Sequence, residues 1–203
     1  MIRFEEFTGG VLDTNCFLLS GGDGNVLIDA PQGADMRFAG TPIASLLLTH
    51  GHFDHVADAA AIQARHGCPV YLHPDTIPMV TDRDFFRNWG FALEIEPISG
   101  GEILTEGPGR EIAGFRFDVF EVPGHCPGSL CFHFPEDRLL FGGDVLFRGG
   151  IGRWDLPGGS FELLTTGIRR KILPLPDDTT VLPGHGEPTS VGTERATNPW
   201  LAP

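Results

Sequence analysis

The feature that most constrains the fold is an apolar run at residues 44–49 that leads directly into a cluster of histidines and an aspartate. A short apolar run of this length predicts a strand that is buried on both faces of a sheet. The segment that follows, His-Gly-His-Phe-Asp-His at 50–55, holds three imidazoles and one carboxylate. Because a loop at the end of a buried strand turns several side chains toward one point, we predict a metal site there. Neutral imidazole and carboxylate are ligands that suit zinc, manganese or iron.

Three later segments repeat this arrangement, since each places a ligand-type residue, flanked by glycine, just beyond an apolar run. These residues are His125, Asp144 and His185. The glycines permit tight turns and a close approach of the backbone. Solvent-exposed histidines in polar loops, or a metal-binding module without catalytic activity, are the alternative interpretations. The recurrence of the pattern favours one shared metal centre.

The rest of the chain consists of short apolar runs separated by turn residues, which predicts a protein rich in strands. Further strands are predicted at 3–8, 15–20, 25–29, 70–73, 115–122, 130–134, 138–141 and 179–182. Helices are predicted at 54–66 and 161–173, the second with Ser160 as its N-cap and with Phe161, Leu164, Ile168 and Ile172 on one face. Strands followed by strand–helix alternation predict an α/β protein whose sheets are covered by helices.

Composition narrows the classes of function. The formal net charge of −13 repels phosphate backbones and anionic lipids, so we expect neither a nucleic-acid partner nor a membrane partner. No apolar stretch is long enough to span a bilayer, and the first residues do not resemble an export signal. We therefore expect one domain over residues 1–203, in the cytoplasm, with its four cysteines reduced.

The whole constellation resembles the five sequence motifs of the metallo-β-lactamase superfamily. The resemblance implies a four-layer αββα sandwich, in which two mixed β-sheets are flanked by helices and a dinuclear site lies along one edge. It implies two divalent ions, with zinc as the expected metal and iron or manganese as alternatives. The implied ligands are His50, His52 and His125 for the first ion, Asp54, His55 and His185 for the second, and Asp144 as the bridge. Asp54 and Asp144 are also the expected catalytic residues.

Within the superfamily, the segment 143–159 is similar to that of short bacterial glyoxalase II-like hydrolases. This similarity implies cleavage of a thioester such as S-lactoylglutathione by attack of a metal-bridging hydroxide. A thiolate leaves without a general acid, which suits these motifs. Common zinc β-lactamases carry cysteine where Asp144 stands, and this difference argues against that activity. The short stretch after His185 does not match the helical extension with which glyoxalase II binds glutathione, so glutathione recognition is not carried over.

Several positions keep two interpretations. Arg148 and Arg153 are candidates for binding a substrate carboxylate, although Arg153 is also placed to pair with Asp155 and brace its loop. The aromatic residues at 85, 86, 89 and 91 predict a small satellite core, with the mouth of the substrate site as the alternative. Asp29 is expected to support the site rather than bind metal, and Cys126 to be a packing thiol.

Two other activities remain open from the sequence. A mononuclear iron persulfide dioxygenase shares the Gly-Arg-x-Asp stretch at 152–155, but it binds its iron through two histidines and one aspartate. The presence of Asp54, His55 and His185 therefore favours two ions. A lactone or ester hydrolase uses the same attack on a carbonyl carbon, so the motifs do not separate it from a thioesterase.

Overall fold

Two six-stranded mixed sheets pack face to face in the computed structural model, which describes residues 2–201. In the first sheet, neighbouring strands follow chain order: β1 (Arg3–Gly9), β2 (Thr14–Ser20), β3 (Val26–Ile28), β4 (Ser45–Leu47), β5 (Val70–Leu72) and β6 (Glu102–Ile103). The second sheet has the order β14 (Thr189–Ser190), β13 (Thr180–Pro183), β10 (Leu139–Gly143), β9 (Leu130–Phe134), β8 (Phe115–Glu121) and β7 (Gly107–Ile112). The pairs from β3 to β6 are parallel, as is β10 with β13, and the other pairs are antiparallel.

Helices and one small hairpin complete the structure. The hairpin is formed by β11 (Leu146–Phe147) and β12 (Gly150–Ile151). The α-helices are α1 (Ala34–Arg37), α2 (Phe53–Val56), α3 (Ala59–His66), α4 (Ile77–Thr81), α5 (Phe85–Asn88), α6 (Phe161–Gly167) and α7 (Val191–Thr197). A 3-10 turn spans Pro74–Thr76, and a π-helical turn at Ile168–Ile172 continues α6. Among the described residues, no helix has both the length and the apolarity needed to span a bilayer.

The alternation of side chains along each strand produces three separate apolar cores. In β2, Phe17 and Leu19 point into the core between the sheets, whereas Leu18 points to the core beneath α1 and α3. In β10, Phe141 joins the core between the sheets, and Leu140 packs against α6 and α7. Each sheet is therefore covered on both faces, and the order of layers is helix, sheet, sheet, helix. This confirms the predicted αββα sandwich.

The predicted helix at 54–66 is divided into α2 and α3. The division has a local cause, because the backbone of Ala30 takes the hydrogen bonds that would continue the helix. The Ala30 amide donates to the His55 carbonyl oxygen at 2.7 Å, and the Asp58 amide donates to the Ala30 carbonyl oxygen at 2.9 Å. The predicted end is confirmed, since Gly67 has φ 62° and its amide donates to the Gln63 carbonyl oxygen.

The second predicted helix, 161–173, is present as α6 and its π-helical continuation. The Ser160 side chain accepts from the Leu163 amide, as predicted for the N-cap. Of the four residues predicted on one face, Leu164, Ile168 and Ile172 are buried, whereas Phe161 is 41% exposed. Phe161 lies at the first helical position, where it packs against the tryptophans at 154 and 200 instead of the sheet.

Candidate metal centre

The seven predicted ligands meet where four strands end. The loop after β4 carries His50 and His52, and α2, which follows it directly, carries Asp54 and His55. The loops after β8, β10 and β13 carry His125, Asp144 and His185, respectively. Three sets of these residues have ligand atoms within 4.8 Å of one another. The sets are His50, His52 and His125; His50, His55 and Asp144; and Asp54, His55 and His185. The structure thus collects ligand-type residues from both sheets at one edge of the sandwich.

His50, His52 and His125 form what we call the three-histidine half of the centre. Nε2 of His50 lies 3.2 Å from Nδ1 of His52 and 3.3 Å from Nε2 of His125. Nδ1 of His50 donates to the Thr49 hydroxyl at 3.1 Å, and Nδ1 of His125 donates to the Arg153 carbonyl oxygen at 2.8 Å. Those donations leave unprotonated nitrogens facing one another, and such lone pairs are stabilised by a cation between them.

Asp54, His55, Asp144 and His185 form the carboxylate half. Nε2 of His55 lies 3.2 Å from Oδ1 of Asp144 and 3.5 Å from Oδ2 of Asp54. Nε2 of His185 lies 3.2 Å from Oδ2 of Asp54 and 3.4 Å from Oδ2 of Asp144. Oδ2 of Asp144 is also 3.5 Å from Nε2 of His125. Asp144 therefore lies between the two halves, which is the position expected of a bridging ligand.

Asp29 connects the supporting contacts of both halves. Its carboxylate accepts from the amide and the hydroxyl of Thr49, at 2.8 and 2.7 Å, and from Nδ1 of His55 at 2.8 Å. Because Thr49 in turn accepts from His50, the orientation of one ring in each half depends on this buried carboxylate. Asp29 thus supports the ligands from behind, as its sequence position suggested.

The loop that carries His185 is attached to the first sheet through β2. The Asn15 amide donates to the Gly184 carbonyl oxygen at 2.7 Å, and its side-chain amide donates to the carbonyl oxygens of Pro183 and Gly186. Next to it, the Thr14 hydroxyl donates to Oδ2 of Asp54 at 2.8 Å. Neither Thr14 nor Asn15 belongs to one of the sequence motifs that predicted the site. They occupy ordinary positions in a strand, and no local pattern relates them to a loop so distant in the chain.

The pKa values of the histidines are shifted downward in the three-histidine half and upward in the carboxylate half. Burial lowers the pKa of every ring in the three-histidine half, that of His52 to about 3. In the carboxylate half burial acts in the same sense, but the neighbouring aspartates outweigh it. They raise the pKa of His185 to about 10 and that of His55 well above its usual value. The same pairing holds the pKa of Asp54 at about 2, against the effect of burial.

The residues present fit divalent cations. Nε2 of His55 and Oδ1 of Asp144 are buried, and although 3.2 Å apart they are not aligned as a hydrogen bond, so neither has a hydrogen-bond partner. Gly184 passes so close that a Cβ there would collide with Oδ1 of Asp144 and lie 2.6 Å from Cε1 of His55. A buried ring nitrogen and a buried carboxylate oxygen that lack hydrogen-bond partners and lie against glycine backbone would both be satisfied by a metal ion once the ring gives up its proton.

A cavity of about 650 Å³ opens above the centre. Apart from the candidate ligands, its lining comprises Leu12, Phe53, Phe86, Trp89, Phe91, Phe147, Ile151, Arg153 and Leu156. We call Phe53, Phe86, Trp89 and Phe91 the aromatic wall; Trp89 lies near the three-histidine half, with its ring centroid 6.4 Å from that of His52. The two interpretations of the aromatic cluster both apply in part. Phe86 is buried in the core beneath α1 and α3, whereas Phe91 is 41% exposed at the cavity.

The two candidate arginines for substrate binding are engaged elsewhere. Arg153 lines the cavity, but its guanidinium group donates twice to Asp155, at 2.8 and 2.9 Å. Arg148 donates to the Pro188 carbonyl oxygen and pairs with Glu187 at 3.3 Å. The pairing of Arg153 corresponds to the bracing contact considered from the sequence, and substrate binding by either arginine stays a prediction.

Cys126, next to His125, is fully buried, and its sulfur lies 3.6 Å from that of Met79. Burial raises the pKa of its thiol to about 12, so the group stays protonated. Its position in the core agrees with the expected packing role.

Comparisons with known proteins agree with this geometry. The model of the metallo-β-lactamase superfamily matches residues 9–185. Hydroxyacylglutathione hydrolase GloC from Haemophilus influenzae is 35% identical over 183 residues, covering 89% of this chain and 84% of its own. The crystal structure of BLEG-1 B3 metallo-beta-lactamase superposes with a TM-score of 0.89 at 34% identity, covering 99% of this chain and 100% of its own. That of TTHA1623 in a di-iron-bound form gives 0.86 at 40% identity, covering 97% and 100%.

Proposed function

The chain belongs to the metallo-β-lactamase superfamily, and on that premise we propose that it is a binuclear metal-dependent hydrolase that cleaves thioesters. The His/Asp cluster fits divalent metal ions, and the relative GloC is named a hydrolase, which supports hydrolysis as the reaction type. We assign His50, His52 and His125 to one ion, Asp54, His55 and His185 to the other, and Asp144 to both.

Two divalent ions at these residues supply a water of lowered pKa and a positive charge that polarises the substrate carbonyl. The protein does the rest. The Thr49 hydroxyl and the Arg153 carbonyl oxygen fix the tautomers of His50 and His125, so that their ligating nitrogens stay unprotonated. A substrate seated against the apolar cavity wall would displace water from it, which strengthens electrostatic interactions at the centre.

The choice of a thioester rests on one observation, the lack of a general acid. Among the described residues that line the cavity, Arg153 is the only titratable side chain besides the candidate ligands. Its pairing with Asp155 raises the pKa of this already strong base further, so it does not donate a proton. A leaving group must therefore depart as an anion. A thiolate does so readily, because a typical thiol has a pKa near 8.5, whereas an amide nitrogen must gain a proton.

The metal itself is part of the proposal. We propose zinc as the native metal, with iron and manganese as alternatives, because imidazole and carboxylate ligands accept all three. The related TTHA1623 was crystallised in a di-iron-bound form, which supports testing iron first among the alternatives. Metal analysis of protein purified without added metal should find two ions per chain. If the protein instead holds a single ion per chain and this ion is iron, the dioxygenase alternative is favoured.

A substrate panel tests the activity. Protein loaded separately with zinc, iron or manganese is assayed with S-lactoylglutathione, acyl-CoAs, a lactone and a β-lactam, and oxygen uptake is followed with glutathione persulfide. We expect thioester hydrolysis that chelation abolishes and that the same metal restores. Turnover of the β-lactam or the lactone alone, or oxygen uptake without hydrolysis, would contradict the proposal. A small-molecule thioester as partner, without nucleic acid or membrane, and a cytoplasmic location belong to the same proposal.

A further inference from the structure

The cavity above the metal centre has an unusual lining for a site that would bind a polar thiol carrier. Among the described lining residues that are not candidate ligands, eight of nine are apolar. The ninth, Arg153, donates from Nε and Nη2 to the Asp155 carboxylate, which also balances its charge. These lining residues therefore offer few hydrogen-bonding groups and no unpaired charge to a peptide or to a carboxylate, but a large apolar surface.

Two of these apolar side chains are exposed although they adjoin the candidate ligands. Leu12 is 49% exposed, and its own carbonyl oxygen accepts from Nδ1 of His185 at 3.0 Å, so it lies next to the carboxylate half. Phe91 is 41% exposed and lines the same cavity as part of the aromatic wall, in which Trp89 lies near the three-histidine half. An apolar side chain exposed at a ligand cavity gains free energy when an apolar group covers it. Such surface is thus available near both halves of the centre.

Charge points to the same kind of ligand. The chain carries a net charge of −13, which opposes the approach of anionic substrates. The second candidate arginine, Arg148, donates to the Pro188 carbonyl oxygen and pairs with Glu187, so it does not offset that charge at the cavity. A substrate with an uncharged apolar group is not repelled by this charge and needs no arginine to bind it.

We propose that this cavity is a specificity subsite for an uncharged alkyl or aryl group adjoining the scissile bond, and that Leu12 and Phe91 determine the preference. The inference rests on the proposed function in that the apolar group is part of a thioester substrate. The group belongs to the acyl side or to the thiol side of the substrate, and its chemistry is the same in both cases. A substrate with an anionic tripeptide as its thiol gains nothing from this subsite.

The test measures binding without turnover. Non-hydrolysable ketones, in which a methylene replaces the thioester sulfur, are titrated calorimetrically into the metal-loaded protein. One series lengthens the alkyl chain on the acyl side, the other on the thiol side, and one further analogue carries a glutathionyl group. We expect Kd to fall about fourfold per added methylene in at least one series, which corresponds to ~0.8 kcal/mol. The glutathionyl analogue should bind no more tightly than the longest neutral one.

Matched variants locate the effect. Leu12→Ala and Phe91→Ala should each weaken binding of the longest neutral analogue about fivefold to tenfold. Leu163→Ala and Phe161→Ala are the controls, because these side chains are 54% and 41% exposed but lie outside the cavity lining, and they should leave Kd unchanged. Since all four side chains are exposed, their truncation costs little stability; Phe91→Leu provides a milder second variant that should weaken binding less than Phe91→Ala.

The outcomes separate this inference from the proposed function. A Kd that is independent of chain length in both series, tighter binding of the glutathionyl analogue, or equal losses in the control variants would each overturn the apolar subsite. If the ketones bind with the expected chain-length dependence but no thioester is hydrolysed, the subsite stands and the proposed function fails. If thioesters are hydrolysed but neither their rates nor the Kd values of the ketones depend on chain length, the proposed function stands and the subsite fails.

Discussion

The three-histidine half and the carboxylate half of the centre adjoin each other, yet their imidazole rings have pKa values shifted in opposite directions. In the first half, burial lowers the pKa of His52 to about 3, so the ring is neutral at pH 7. In the second half, the carboxylates of Asp144 and Asp54, which accept from His185, outweigh burial and raise the pKa of His185 to about 10. In the metal-free protein, His52 is therefore neutral and free to bind a cation, whereas His185 is protonated. The comparison teaches that the carboxylates, rather than the histidines, set the proton cost of metal binding.

The largest expected effect comes from removing the charge shared by both halves. Asp144→Asn should lower kcat roughly a thousandfold, since a lost metal–ligand charge at the reacting centre is worth several kcal/mol. Metal content should fall in both halves, and the measurement is turnover together with metal stoichiometry. Asp178→Asn is the matched control, because Asp178 is exposed and pairs only with Arg138 among the ion pairs described for it. Unchanged turnover in Asp144→Asn would disprove the bridging assignment.

The two halves should be separable by single substitutions. His125→Ala removes a ligand of the three-histidine half, and His185→Ala removes one of the carboxylate half. Each should reduce the metal content from two ions toward one and lower kcat roughly a hundredfold, because one cation still polarises the carbonyl. Anomalous-scattering maps of the two variants should show the remaining ion in different positions. The same residual position in both would mean that the halves are not independent sites.

Supporting residues should affect the halves unequally. Thr49→Val removes the acceptor of His50 and should weaken metal binding in the three-histidine half. Asp29→Asn alters the acceptor of both Thr49 and His55 and should therefore weaken metal binding in both halves. We expect losses of about tenfold to a hundredfold in affinity for each variant. Competition titrations with a chromophoric chelator measure both constants; equal losses at both sites in Thr49→Val, or a loss at one site only in Asp29→Asn, would contradict this division.

The smallest expected effect is a difference in pH dependence. His185 is protonated below about pH 10 in the metal-free protein, so an ion that enters the carboxylate half must displace that proton. Its affinity should therefore fall about tenfold for each unit that the pH is lowered, per proton displaced. His52 is neutral above about pH 3, so the affinity of the three-histidine half should change little from pH 8 to pH 6. Calorimetric titrations in buffers of different ionisation enthalpy count the protons released when each ion binds. Equal proton release from the two halves would contradict this prediction.

Local sequence patterns correctly predicted those features of the structure that depend on residues close together in the chain. The ligand motif at 50–55, the Ser160 cap and the end of the helix at residue 66 all depend on neighbouring residues, and the structure contains each of them. The meeting of His50 with His125 and His185 was inferred from the resemblance to a family, because no local pattern encodes contacts over such separations.

The errors and omissions share one cause, which is tertiary contact. The helix at 54–66 breaks because Ala30, far away in the chain, takes its hydrogen bonds. Phe161 stays partly exposed because it packs against tryptophans from two other segments. The edge strand β7 was not predicted, since only its last residue, Ile112, is buried and the strand lacks the apolar alternation of a half-buried strand.

The attachment of β2 to the loop of His185, through Asn15, has a mechanical consequence. These hydrogen bonds join the first sheet to residues 168 and 171 positions further along the chain. Cations bound at the centre would add non-covalent crosslinks between the two sheets of the sandwich. Closing a loop of that length restricts the denatured chain more than the native one. Metal ions at this edge would therefore keep the sheets in register under heat or denaturant, in addition to any part they take in chemistry.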